Sequence, residues 1–153
     1  MKNRMWLVVS FGFIFVMLLY FVMNPSYQKS IEARVYFSLG EYDEAYSLAT
    51  EAFSENEYNR MASTVMAQSK TALIYVNYIK EAKTYMRDIS AIADNSEGSG
   101  ISEENRAKMR LMSVIMIEQY SKIAPSVITD KALVQEAARY YGEFKELHDN
   151  LTK

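Results

Sequence analysis

The 153-residue chain has no cysteine, which excludes disulfides, thiolate metal sites and cysteine nucleophiles. It has one histidine, His148, near the end of the chain, where helices fray; with Glu146 and Asp149 beside it, the cluster is ordinary surface chemistry. There is no Gly-rich phosphate loop, no Gly-x-Ser-x-Gly elbow and no His-Glu-x-x-His. Ser69-Lys70 is a chance-level pair, and Glu103 and Glu104 suit the start of a helix. The expectation is a protein that is not an enzyme, with no catalytic residues, no metal and no cofactor. Two prolines and five glycines leave long stretches rich in Ala, Glu, Lys, Met and Leu, the composition of an all-α chain.

Residues 5–23 (MWLVVSFGFIFVMLLYFVM) lack charge altogether. As a helix this run rises about 28 Å, close to the ~30 Å hydrocarbon core of a bilayer. Lys2 and Arg4 precede it, every acidic residue follows Pro25, and Trp6 and Tyr20 lie near its ends. The positive-inside rule then puts residues 1–4 in the cytoplasm and the bulk of the chain across the membrane. The exit, Phe21-Val22-Met23-Asn24-Pro25-Ser26, offers no small-x-small cleavage site, so an uncleaved single-pass anchor is expected rather than a signal peptide. Beyond the anchor, 15 of the 17 basic residues face all 19 acidic ones. That negative balance argues against nucleic acid and against a polybasic lipid-binding surface.

About 130 residues remain, enough for one domain with a core. Asn24-Pro25-Ser26 is a helix start, and Gly40 is a helix stop. A second helix is expected over about 42–54, and a third from Tyr58 or Asn59. Asn77, able to adopt a left-handed turn, is expected to break the third from a fourth over about 79–93. Residues 94–101 (DNSEGSGI) read as a flexible linker, dense in glycine and serine. Ser102 caps a fifth helix that stops before Pro125, and residues 126–130 hold capping residues for a sixth, running to about Asn150.

Residues 33–52 (ARVYFSLGEYDEAYSLATEA) resemble the tetratricopeptide repeat family, through Ala33, Tyr36, Gly40, Tyr42, Ala45 and Ala52. Small residues let two helices cross closely, aromatics fill the gap beside them, and glycine makes the turn. A degenerate copy 37 positions on (VNYIKEA, 76–82) echoes LGEYDEA, with Asn77 in place of glycine and Lys70 where a small residue is expected. The resemblance implies one helix pair over 26–57, a second over 60–94, and a cap formed by residues 102–153. It also implies a concave face for a partner protein or peptide, lined by Tyr27, Ser30, Arg34, Phe37 and Ser38, and by Thr71, Ile74 and Tyr75.

Other patterns leave alternatives open. Residues 41–57 hold six carboxylates and no basic residue, which reads either as a docking surface for a basic partner or as a solvated face. The fifth helix is apolar almost all round at 111–117 and is either central or a methionine-rich contact face. Leu133, Ala137, Tyr140, Phe144, Leu147 and Leu151 form a heptad-spaced seam, for the core or for a homodimer. The combined expectation is a bacterial inner-membrane protein with its bulk in the periplasm. It has an anchor (5–23), tetratricopeptide-like helix pairs (24–94), a linker (95–101) and a C-terminal helical pair (102–153), with about six helices after the anchor. Its expected work is to hold a partner of an envelope complex in a helical groove. The alternative is a helical sensor for a small molecule or lipid.

Overall fold

The structure, a computed structural model, describes residues 2–96, 100–123 and 129–153, and every side chain in them except those of residues 2–5, 21 and 22. Among the described residues the chain is all-helical, with six helices and no strand: α1 (Lys2–Met23), α2 (Pro25–Leu39), α3 (Tyr42–Glu55), α4 (Arg60–Asp94), α5 (Glu103–Lys122) and α6 (Lys131–Thr152). They form two compact units, residues 1–70 and 71–153; α4 contributes its residues 60–70 to the first and 71–94 to the second.

α1 leads the N-terminal unit, and none of its described side chains belongs to a core. Every side chain from Trp6 to Tyr20 is exposed. Its large apolar groups range from 43% exposed (Leu19) to 74% (Met23), so the described residues leave them uncovered. The helix is 22 residues long, about 33 Å. Among the described residues no single helix is long and apolar enough to cross a membrane. The described stretch Trp6–Tyr20 meets that requirement only together with Pro25–Leu39, to which it is bent by 72°.

α2 and α3 form an antiparallel hairpin whose ends are chemically specified. Asn24 Oδ1 accepts from the Ser26 N–H at 3.1 Å, and Pro25 takes the first helical position, where its missing N–H costs nothing. At the other end Gly40 sits at φ 83°, and its N–H and that of Glu41 donate to the Phe37 and Tyr36 carbonyls at 3.2 and 3.0 Å. This is a Schellman closure. Between the two helices the contact is built from alanines: Ala33, Ala45 and Ala49 are fully buried and cluster with Val65 of α4, and Ala52 is fully buried as well. Such small side chains bring helix backbones close together.

The C-terminal unit has a different filling. Tyr75, Tyr78, Ile79, Ala82 and Ile89 of α4 pack with Met109 and Met116 of α5 and with Ala137, Tyr140 and Phe144 of α6. The seam expected on the sixth helix faces this core, with Leu133, Leu147 and Leu151 packed on its margin. α5 buries Met109, Ser113 and Met116, while Leu111 on its other side is 61% exposed.

One expected boundary is absent. α4 runs unbroken from Arg60 to Asp94, and no residue other than glycine has a positive φ among those described, so Asn77 makes no turn. The reason lies in its neighbours. Tyr75, Tyr78, Ile79 and Ala82 follow helical spacing, and an unbroken helix buries all four in one cluster. The degenerate second copy therefore has no helix–turn–helix at 76–82, and five helices follow α1 where six were expected. The other boundaries fall within a few residues. Ser102 caps α5, accepting from the Asn105 N–H at 3.3 Å, and Asp130 caps α6, accepting from Ala132 at 2.9 Å. Residues 97–99 of the expected linker, Pro125 and the capping candidates at 126–128 lie outside the described residues.

Candidate functional site

The N-terminal unit is pinned at one end by a buried polar cluster. Asn59, Ser26 and Ser30 are each at most 1% exposed. The Asn59 amide donates to Ser26 Oγ (2.9 Å), Ser30 Oγ (3.1 Å) and the Ser26 carbonyl (3.2 Å). Its Oδ1 accepts from the backbone N–H groups of Met61 and Ala62 at 3.1 and 3.2 Å, which caps α4. Ser26 Oγ donates onward to the Ala52 carbonyl of α3 at 2.7 Å, and Ser30 Oγ to the Tyr27 carbonyl at 3.0 Å. One side chain thus starts α4 and ties it to α2 and, through Ser26, to α3. A satisfied buried network fixes register more strongly than apolar contact does. Outside it, Lys29 Nζ reaches both Glu51 and Glu55 at 2.5 Å, and these two hydrogen-bonded carboxylates hold its ammonium above the usual lysine range.

Because Asn59 fixes where α4 begins, α2 and the start of α4 run side by side in the same direction. Their contacts advance together, from Ser26 with Asn59 to Arg34 with Gln68. Between them lies an open groove of about 300 Å³, lined by Arg34, Arg60, Met61, Thr64 and Val65. Its lining combines half-exposed Met61 and buried Val65 with two guanidinium groups. Arg34 is positioned rather than loose: Nη1 donates to Gln68 Oε1 at 3.0 Å, and the guanidinium lies 5.7 Å from the Phe37 ring centroid, within cation–π reach. Phe37 in turn packs edge-to-face on Tyr42 at 5.4 Å, so Tyr42 buttresses the residue beside Arg34.

Of the residues expected on a concave face, Arg34 lines this groove, Phe37 supports it, Ser38 is exposed and Tyr27 is half-buried. Ser30 is not on the face, since it is fully buried in the Asn59 cluster. Thr71, Ile74 and Tyr75 belong to the C-terminal unit, where Tyr75 is core and Ile74 is 48% exposed. The sequence reading missed Arg60, Met61 and Thr64. The signal that finds them is Asn59 as an N-cap: it moves the next helix start to residue 60 and sets the offset between the helices at about 34 instead of 37. The acidic stretch 41–57 is partly neutralised within the chain, because Lys29 occupies two of its carboxylates.

The C-terminal unit holds an open cleft of about 370 Å³ lined by residues that include Ile74, Tyr78, Glu81, Gln119 and Ile123. Gln119 donates to Glu81 across it at 3.0 Å. The Tyr78 hydroxyl is buried with no hydrogen-bond partner among the described residues, and burial, then Tyr120 and Tyr141 nearby, push its pKa well above the usual phenol range. Tyr120 stacks on Tyr141 at 4.5 Å and tilts against Tyr78 at 5.6 Å. No group of three His, Asp or Glu able to hold a metal ion gathers among the described residues. No protein-family model matches the chain, and no curated protein and no solved structure matches it.

Proposed function

We propose that the chain is a membrane-tethered, non-catalytic interaction module, and that the groove between α2 and the start of α4 holds a partner protein. The observation that carries this reading is the groove itself, lined by apolar Met61 and Val65 beside Arg34 and Arg60. Arginine beside apolar groups is the usual composition of a protein-binding anchor. Residues 25–70 act in this reading as a tetratricopeptide-like pair followed by the first helix of a further repeat. The separation of 34 residues across the Arg34–Gln68 contact equals the usual length of such repeats, which supports it. α1 is the tether, with Lys2 and Arg4 on the cytoplasmic side and the rest of the chain on the outer face of a bacterial inner membrane, as an accessory factor of an envelope complex. Its support is the uncharged run of residues 5–23 behind two basic residues, with every described side chain of the helix exposed. Tethering raises the local concentration of the groove for partners in the same membrane.

The test is photo-crosslinking in intact native cells, with the crosslinker at Thr64 in the groove and at Glu143 on α6 as control. A single protein captured at Thr64, absent at Glu143 and lost with Arg60→Glu, supports the reading. A second reading, a small-molecule sensor, is favoured by the unpaired Tyr78 hydroxyl beside the C-terminal cleft. Recovery of the chain alone at Thr64, together with a small molecule retained by native protein and lost in Tyr78→Phe, would replace the first reading with the second.

A further inference from the structure

α2 has a second face that the groove does not use. Ile31, Val35 and Leu39 recur every fourth residue, so they form one strip within about 80° of arc on the side away from buried Ala33 and Ser26. They are 56%, 52% and 69% exposed, and none belongs to the alanine core. Gln28 lies on the same arc one turn before Ile31, Glu32 flanks one edge of the strip, and Ser38 and Arg34 flank the other. A helix that leaves a membrane anchor with an exposed apolar strip can bury that strip in the membrane interface.

We propose that this strip rests in the headgroup–acyl boundary of the bilayer that α1 crosses, so that α2 is an interfacial helix and fixes the groove close to the membrane surface. The proposal rests on the anchor reading above. Two observations select lipid as the occupant. Asn24 alone separates α1 from α2, so α2 starts at the membrane exit whichever way it points. The bend of 72° sets α2 about 18° from the membrane plane when α1 stands along the normal. A second protein on the strip is the weaker fit. Three aliphatic side chains on a helix about 22 Å long fall far below the ~1,200 Å² that a stable protein interface buries.

The chain's lack of cysteine makes the test direct. Single cysteines at Phe13, Val35 and exposed Ser47 of α3 carry a spin label, in full-length protein reconstituted in phosphatidylcholine–phosphatidylglycerol nanodiscs. Collision with oxygen and with a water-soluble nickel chelate is then measured. The expected result is a deep, oxygen-rich Phe13 and a Val35 about threefold or more less open to the chelate than Ser47, as shallow insertion requires. A deep Phe13 with Val35 as open as Ser47 would overturn the interfacial helix and leave the anchor standing. A Phe13 as open as Ser47 would overturn the anchor reading and this proposal with it. Spin–spin broadening at Val35 that disappears on dilution with unlabelled chain would assign the strip to a second copy and overturn the proposal.

Discussion

The two units hold their helices by opposite means. In residues 1–70 the buried apolar groups are five alanines and one valine, and the buried polar ones include Ser26, Ser30 and Asn59 in a connected network. In residues 71–153 the buried groups are mostly large, three tyrosines, two isoleucines, two methionines and Phe144 among them. One buried phenol there has no hydrogen-bond partner among the described residues. The first arrangement sets positions, since small contacts and directed hydrogen bonds allow few alternatives. The second supplies stability through area, at roughly 25 cal/mol per Å² of apolar surface buried. A groove whose walls must stay in register belongs on the first kind, and the Arg34 groove is there.

The sharpest way to break the contrast is truncation of the large core. Phe144→Ala removes a fully buried ring and should destabilise the C-terminal unit by about 3–5 kcal/mol. Hydrogen exchange should show α5 and α6 losing protection while the α2–α3 hairpin keeps its own. Asn59→Ala should come next, at about 2–3 kcal/mol, with the loss confined to residues 25–70, because it removes a cap and leaves two buried hydroxyls short of a donor. Asn59→Asp sharpens this: it keeps the acceptor that caps α4 but has no amide to give Ser26 and Ser30. Its cost therefore measures the pin apart from the cap.

Gly40→Val should destabilise the hairpin by about 1–2 kcal/mol, because φ 83° is a left-handed conformation that β-branched residues resist. A Cβ there meets nothing within 4 Å, so the effect is purely one of backbone. Unchanged thermal stability would remove Gly40 from the account of the turn. The smallest effect is electrostatic. The Lys29 pKa is raised above its ordinary 10.5 by Glu51 and Glu55. Its contribution is therefore fully present below about pH 10.5 and fades as pH rises through the raised value. Lys29→Met should flatten the pH dependence of hairpin melting above that point and change little at neutral pH.

Much of this was legible in the sequence, for reasons that differ by element. Asn24-Pro25, Gly40, Ser102 and Asp130 are local signals, read by groups one to five residues away, and each ends or starts a helix in the structure. Ala33, Ala45 and Ala52 of the hairpin are marked by the resemblance and are buried, whereas the resemblance does not single out Ala49, which is equally buried. Asn77 misled because its preference for a turn is local, whereas the unbroken α4 is set by Tyr75, Tyr78 and Ile79 meeting residues 30 to 70 positions away. The same distance hid most of the candidate groove. Arg60, Met61 and Thr64 become neighbours of Arg34 only once Asn59 has found Ser26, a contact across 33 residues that no window of sequence displays.

The functional account depends on what covers α1, whose described side chains are all exposed. The measurement that tests it most directly is alkaline carbonate extraction of native membranes, comparing the natural chain with a Phe11→Lys, Phe13→Lys, Phe15→Lys variant. The tether predicts that the natural chain stays with the membrane pellet at high pH and that the variant is released. Release of the natural chain would mean that a protein partner, not lipid, covers α1, and would contradict the account.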